Sequence, residues 1–241
     1  GIELSIGLQL VDTKDWNVRL NASYNTNHNK VLSIGNAVPF AIGGFSSRTV
    51  QTVVAEGEPV GFIRGYKAVL NPDNSLKEIL PLQNLGSTLP TAYGNFSLSA
   101  SYKNLSFMLS GDYQYGAYVH SFDRQFRFSK GLKDDAIPEK ALEGLDQGAN
   151  WLNFTNFFVE KSDFLKIRNI GIAYDYKPKK YLKSVNLAFN VYNPFAFTAS
   201  SVDPEAALAG ARSQGAVAVG GLNYSSYSTP RQYVGTIRVS F

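Results

Sequence analysis

Polar and apolar residues take turns along much of this chain. Ile2, Leu4, Ile6, Leu8 and Leu10 alternate with Glu3, Ser5, Gly7 and Gln9. Trp16, Val18, Leu20, Ala22 and Tyr24 alternate with Asn17, Arg19, Asn21 and Ser23. The same rhythm recurs in Phe96–Tyr102, Leu105–Tyr115, Val185–Val191 and Tyr233–Phe241. Successive side chains of a strand point to opposite faces, so a period of two predicts a strand with one apolar and one polar face. The reading places strands at 2–11, 16–27, 95–103, 105–116, 164–176, 184–194 and 233–241. In 164–176 the parity breaks: Leu165 and Ile167 share one face, Ile170, Ile172, Tyr174 and Tyr176 the other. A bulge near Arg168–Asn169 reconciles them and is the preferred reading. The alternative has Lys166 and Arg168 pointing outward at a membrane rim.

Two features set these strands apart from those of a soluble sandwich. The runs match the 9–11 or so residues of a tilted membrane strand, against about 5–6 in soluble sheets. The connections also alternate. Turns at 12–15, 103–104 and 177–183 are short, whereas 28–94, 117–163 and 195–232 are long. Outer-membrane barrels have short periplasmic turns and long extracellular loops. If the chain ends in the periplasm, every short turn falls there and every long segment outside. Trp16, Tyr102, Tyr174, Tyr176 and Phe241 then lie at the periplasmic end, and Tyr24, Tyr113, Tyr115 and Phe195 at the outer end, as two aromatic girdles. The predicted fold class is all-β, a transmembrane antiparallel β-barrel.

Composition agrees. Charged residues are 17% of the 241 residues and aromatics 13%, where soluble domains carry about 25% charge. Mean hydropathy is -0.15, and no apolar run approaches the 18 or so residues of a membrane helix. The net charge of +4 is spread along the chain apart from Lys177, Lys179, Lys180 and Lys183, so no nucleic-acid surface is expected. With no cysteine, disulfides and thiolate metal sites are excluded. Residue 1 leads at once into a strand pattern, so a leader has been removed or the chain starts inside a longer polypeptide.

Several stretches carry a resemblance to a known family. They are Glu56-Gly57-Glu58-Pro59-Val60-Gly61 with Gly65-Tyr66-Lys67, then Leu85-Gly86 with Pro90, Tyr93-Gly94 and Asp112-Tyr113-Gln114-Tyr115-Gly116. The most specific is Val159-Glu160-Lys161-Ser162-Asp163-Phe164-Leu165-Lys166-Ile167-Arg168-Asn169-Ile170. Asn190-Val191-Tyr192-Asn193-Pro194-Phe195, Pro230-Arg231 and Phe241 follow. In order and spacing these resemble the C-terminal part of a SusC/RagA-type TonB-dependent transporter. The resemblance implies a barrel of about 22 strands with an N-terminal plug that is absent from this chain. It implies import of glycan or peptide oligomers across the Gram-negative outer membrane. The implied partners are the rest of the barrel and its plug, a SusD-like surface lipoprotein, the TonB system acting through the plug, and outer-membrane lipid. Tyr233, Ile237, Val239 and Phe241 resemble the C-terminal signal read by the barrel-assembly machinery; they also suit an ordinary lipid-facing strand. Seven strands cannot close so wide a barrel, and open edges are not tolerated in lipid. The chain is therefore expected to be a fragment or one polypeptide of a split assembly.

Candidate contact residues are the rings in the long loops: Tyr118, Phe122, Trp151, Phe154, Phe157 and Phe158, with Phe126 and Phe128 nearby. They suit stacking on a ligand or local packing of the loops. Arg19, Asp112 and Arg238 are expected to face the lumen. His28 and His120, the two histidines, are expected to be solvated loop residues. Asp134, Asp135, Glu139, Glu143 and Asp146 form an acidic loop segment without EF-hand spacing, with Pro138–Leu145 reading as helical. No metal, cofactor or catalytic constellation is expected. Alternatives to the transport barrel are a plugless structural or adhesive barrel and a soluble carbohydrate-binding sandwich.

Overall fold

Facing residues of neighbouring antiparallel strands share a side of the sheet, so the register shows what the alternation builds. The computed structural model describes residues 1–44, 50–178, 182–205, 221–224 and 226–241. Its main sheet has seven strands: β1 (Glu3–Asp12), β2 (Trp16–Thr26), β7 (Ala92–Tyr102), β8 (Leu105–Tyr115), β11 (Phe164–Tyr176), β12 (Ser184–Thr198) and β14 (Gln232–Ser240). They are antiparallel and lie in sequence order. Leu8, Leu20, Leu98, Leu109, Ile170, Val191 and Tyr233 are register partners in succession, one from each strand. One rung away on the other face run Asn21, Ser97, Ser110 and Asn169.

The apolar face is not covered. Phe107 is 38% exposed, Phe189 47% and Ile237 74%. The buried apolar residues lie instead in the long connections. These leave the sheet from one end, where Thr26 pairs Ala92, Ala92 pairs Tyr115, and Phe164 faces both Gln114 and Thr198. The segment read as the 28–94 loop contains a four-stranded sheet of β3 (Phe40–Gly44), β4 (Gln51–Val54), β5 (Phe62–Leu70) and β6 (Leu76–Ser87). The next connection carries β9 (Tyr118–Ser121), α1 (Phe122–Ser129), a 3-10 turn at Glu139–Leu142, α2 (Gln147–Asn150), a 3-10 stretch at Trp151–Phe158 and β10 (Val159–Lys161). β9 pairs β10 and, in parallel, β13 (Leu222–Asn223) from the third connection. Phe128, Ile137, Ala141, Phe154 and Phe158 bury against Ala68 of β5, and Val50, Ile63 and Leu222 form a second cluster.

Some boundaries differ from the alternation reading. β7 starts at Ala92, because its pairing with β2 reaches Thr26. β12 continues through Phe195 to Thr198, because β11 supplies partners for it up to Phe164. Only Glu139–Leu142 of the expected helix at Pro138–Leu145 is helical, since the backbone is extended at Glu143 (ψ 126°). Parts of the 177–183 turn, with Lys179 and Lys180, and of the 195–232 loop lie outside the described residues. The main sheet is open: β1 and β14 form its two edges.

Candidate functional site

A single extra residue in β11 organises the polar face at its capped end. Ile167 faces Gly111 of β8 and Phe195 of β12, whereas Asn169 faces Ser110 and Tyr192. β12 sets two residues, Asn193 and Pro194, opposite Arg168, whereas against β8 Arg168 is left over, a bulge. It resolves the broken parity: Leu165, Ile167, Ile170 and Ile172 keep to the apolar face, while Lys166, Arg168 and Asn169 serve the polar one. Lys166 points to the polar side and not to a membrane rim, and is 3% exposed.

The two cations meet three carboxylates. Asp112, opposite Lys166 in register, accepts two hydrogen bonds from Arg168: Nε to Oδ1 at 2.6 Å and Nη2 to Oδ2 at 2.8 Å. Asp203 and Glu205 come from the connection after β12. Lys166 Nζ donates to Asp203 Oδ1 and to Glu205 Oε2, each at 2.6 Å, and Arg168 Nη2 donates to Glu205 Oε1. Burial pushes the Asp203 carboxyl up, but the Lys166 hydrogen bond and backbone donors outweigh it and hold it below its ordinary value. Burial likewise raises Glu205, and the hydrogen bonds from Arg168 and Lys166 prevail. Nearer the cap, Glu160 accepts from the Ser201 backbone N–H at 2.5 Å and hydroxyl at 2.8 Å and pairs with Arg124. Arg124 also holds Asp134 through Nε at 2.9 Å. The 199–205 segment is thus strapped to the wall at one end and to the cap at the other.

A cavity of about 620 Å3 opens beside Asp112 and Glu205. These two are the charged residues of its lining; Asn25, Asn95, Gln114, Tyr93 and Tyr113 supply neutral polar groups. Gly94 shapes this wall. A Cβ there would stand 2.0 Å from Ser23 O and 2.7 Å from Tyr113 Oη. Its absence lets the Tyr113 ring cross β7, so that the hydroxyl donates to Ser23 O at 3.1 Å.

The sequence-predicted residues divide. Asp112 belongs to the charged cluster. Arg19 and Arg238 stand on the same polar face, opposite Ser99 and Asn186. Tyr233, Ile237 and Val239 join the apolar face opposite Val191, Leu187 and Val185, and Phe241 is 80% exposed. Tyr118 lines the cavity. Phe122 meets Phe126, Trp151 and Tyr224 at centroid distances of 5.1–6.2 Å, forming a half-exposed aromatic cluster on the cap. Phe154 and Phe158, which suited either stacking on a ligand or local packing, are fully buried, and Phe157 packs against them. The apolar interior of the cap claims them.

His120, expected in solvent, is also fully buried. Its Nε2 lies 2.6 Å from Gln125 Oε1, and the Gln125 amide nitrogen donates to Thr155 Oγ1 at 2.9 Å and to Trp151 O. The imidazole must therefore donate from Nε2, leaving Nδ1 as a buried acceptor without a partner among the described residues. Burial pushes its pKa down to about 4, against the opposing Gln125 hydrogen bond. His28 is exposed. In the acidic segment Asp146 Oδ1 accepts from Ala149 N at 2.7 Å, capping α2, and Glu139 pairs with Lys133. Among the described residues no group of three or more His, Asp or Glu side chains converges as a metal site.

The charged cluster was only half readable. The parity break at 168–169 marked Lys166 and Arg168, but Asp203, Glu205, Glu160 and Arg124 carry no local pattern that ties them together.

Fold and site together define an antiparallel β-wall with one greasy face and one polar face, capped at one end and bearing a charged cavity on the polar side. Solved structures share this fold. The RagAB peptide importer in its open-open state superposes with a TM-score of 0.69 at 19% identity, covering 99% of this chain and 28% of that one. Its closed-closed state gives 0.70 at 20% identity, with 99% and 29% covered. The RagAB peptide transporter gives 0.68 at 20%, again with 99% and 29%. The likeness is one of fold, and these neighbours are a peptide importer and transporter by name. The chain spans less than a third of the length of the chains it matches. No family model matches it, and no curated protein does.

Proposed function

We propose that this chain supplies wall strands and outer loops to an outer-membrane importer of the SusC/RagA type. In this reading further strands beyond β1 and β14 close the sheet into a barrel of about 22 strands. A plug fills it, TonB drives it, and a SusD-like surface lipoprotein covers the capped end. The barrel-assembly machinery reads the segment ending at Phe241. Arg19, Asp112 and Arg238 line the lumen, and the cargo is an oligomer of nutrient size, peptide or glycan.

One observation carries the reading. An unbroken apolar band crosses seven strands and stays open, while the buried apolar cores lie in the cap. In water such a face is an aggregation hazard; against hydrocarbon it needs no further cover. Free edges are costly in lipid, which supports strands beyond both. The shared fold with a peptide importer supports the transport role.

This chain contains no cysteine, so a thiol introduced into it marks a single known position of the wall. In cells expressing the assembled protein, Phe107→Cys, Phe189→Cys and Ile237→Cys are expected to resist a water-soluble maleimide and to react with a membrane-partitioning one. Asn21→Cys and Ser97→Cys should show the reverse preference. Ready aqueous labelling at all three apolar sites would sink the reading.

A further inference from the structure

We propose that Lys166 and Arg168 form a lumenal binding site for the carboxylate of an oligomeric ligand, which the 199–205 segment occupies with its own carboxylates until the ligand displaces them. The proposal rests on the import reading for the arrival of such a ligand.

The wall supplies more positive than negative charge here. Lys166 and Arg168 are fixed on β11, which is paired on both sides. The wall offers one opposing acid, Asp112, and Arg168 already engages both its oxygens. Lys166 has no wall carboxylate bonded to it; its acid partners, Asp203 and Glu205, both come from the segment. A lysine with a side chain 4% exposed cannot be left unpaired, because an uncompensated buried charge is costly. Asp203 and Glu205 supply that compensation while the segment is seated, and an anion that displaces them would supply it in their place.

Glu205 shows how a foreign carboxylate would sit. One of its oxygens takes Lys166 Nζ and the other Arg168 Nη2. A carboxylate clamped between an ammonium and a guanidinium is a strong, directional arrangement. Lys166 and Arg168 line, with Asp203, a cavity of about 200 Å3, and Glu205 lines the 620 Å3 one. The other acid of that lining, Asp112, is held by Arg168, and the rest of its polar lining is neutral, chiefly carboxamides and phenols. Such groups hydrogen-bond the body of a peptide or sugar chain, and the charge recognition is left to the two cations. Exchanging one carboxylate for another keeps Lys166 paired, whereas an amide or neutral sugar end offers it no counter-charge.

The test uses the full-length assembled transporter in nanodiscs and two matched probe pairs. One pair is a tetrapeptide with a free C-terminal carboxylate and its C-terminal amide. The other is a uronate-terminated oligosaccharide and its neutral counterpart. At least one acid is expected to bind about tenfold or more tighter than its neutral partner, and the pair that shows it identifies the source of the carboxylate. The double variant Asp203→Asn with Glu205→Gln vacates the clamp, so it is expected to bind that acid more tightly than the natural protein. This gain cannot arise from a folding defect. Equal binding within both pairs, no binding of any probe, or an unchanged or weakened acid affinity in the double variant would each overturn the proposal. TonB-dependent uptake is scored separately: acid preference without uptake removes the import reading and leaves the clamp.

Discussion

At the scale of single residues, His120 couples the cap to pH. Its ring is sealed among β9, α1 and the Trp151–Phe158 stretch, with Nδ1 unpartnered among the described residues. The folded pKa is about 4 against an ordinary 6.5. An unfolded cap therefore takes up the proton first. Stability contributed by the neutral ring is full above about pH 6.5, declines as pH falls toward 4, and levels off below. The span is on the order of 3 kcal/mol. Hydrogen exchange of cap amides at pH 7 and pH 5, corrected for intrinsic rates, should show the loss, and His120→Gln should flatten it. A cap equally protected at both values would contradict this assignment. No sequence pattern announced the burial. A histidine in a predicted loop looks solvated until Gln125 and Thr155, distant partners by the logic of local pattern, close around it.

At the scale of elements, β11 depends on one inserted residue. Residues N-terminal to Arg168 and those C-terminal to it have opposite parity, and the bulge lets both halves keep their apolar side chains on one face. Deleting Arg168 would force a choice. With 164–167 held in register, Ile170, Ile172 and Tyr174 would turn to the polar face and Asn169 and Gly171 to the apolar one, since a one-residue slip flips every later side chain. The deletion is expected to abolish assembly, read as loss of the folded, heat-modifiable band in unboiled gels. Replacement of Arg168 by Gln, which keeps the count, should retain it. Normal assembly of the deletion would refute the role given to the bulge. This element was legible because its irregularity is itself a pattern: two clean alternations out of phase. The 28–94 connection was less so. Its strands β3–β6 form a sheet whose alternation is blurred by register shifts at Ala41/Gly43, Phe62/Arg64 and Gly65/Lys67, so period two does not persist long enough to be read.

At the scale of the whole molecule, the protein has two kinds of stability. The cap is held as soluble domains are, by apolar side chains removed from water. The wall is held by backbone ladders, and its greasy surface gains nothing from burial within this chain. Phe154→Ala should therefore cost the cap about 3–5 kcal/mol, with hydrogen exchange accelerated at Val119 and Phe128 while amides of β7 and β8 keep their protection. Loss of protection in those wall strands as well would show the two parts to be one cooperative unit. The wall was legible in the sequence because each of its strands keeps one apolar and one polar side. The cap was not, because its cores draw on rings from loops, turns and short helices with no shared period. Phe154 and Phe158 thus suited a ligand contact as well as packing in the sequence, and the structure shows them as interior packing.

The parallel pairing of Leu222–Asn223 with His120–Ser121 ties the connection between β12 and β14 to the one between β8 and β11. β14 is therefore sutured, beyond the capped end of the sheet, to a loop that leaves the wall well before it. Peeling β14 from β12 frees only the rim; the knot above must also come undone before the terminal hairpin can drift away. A wall built this way can tolerate a breathing seam at this edge while the strand itself stays tethered.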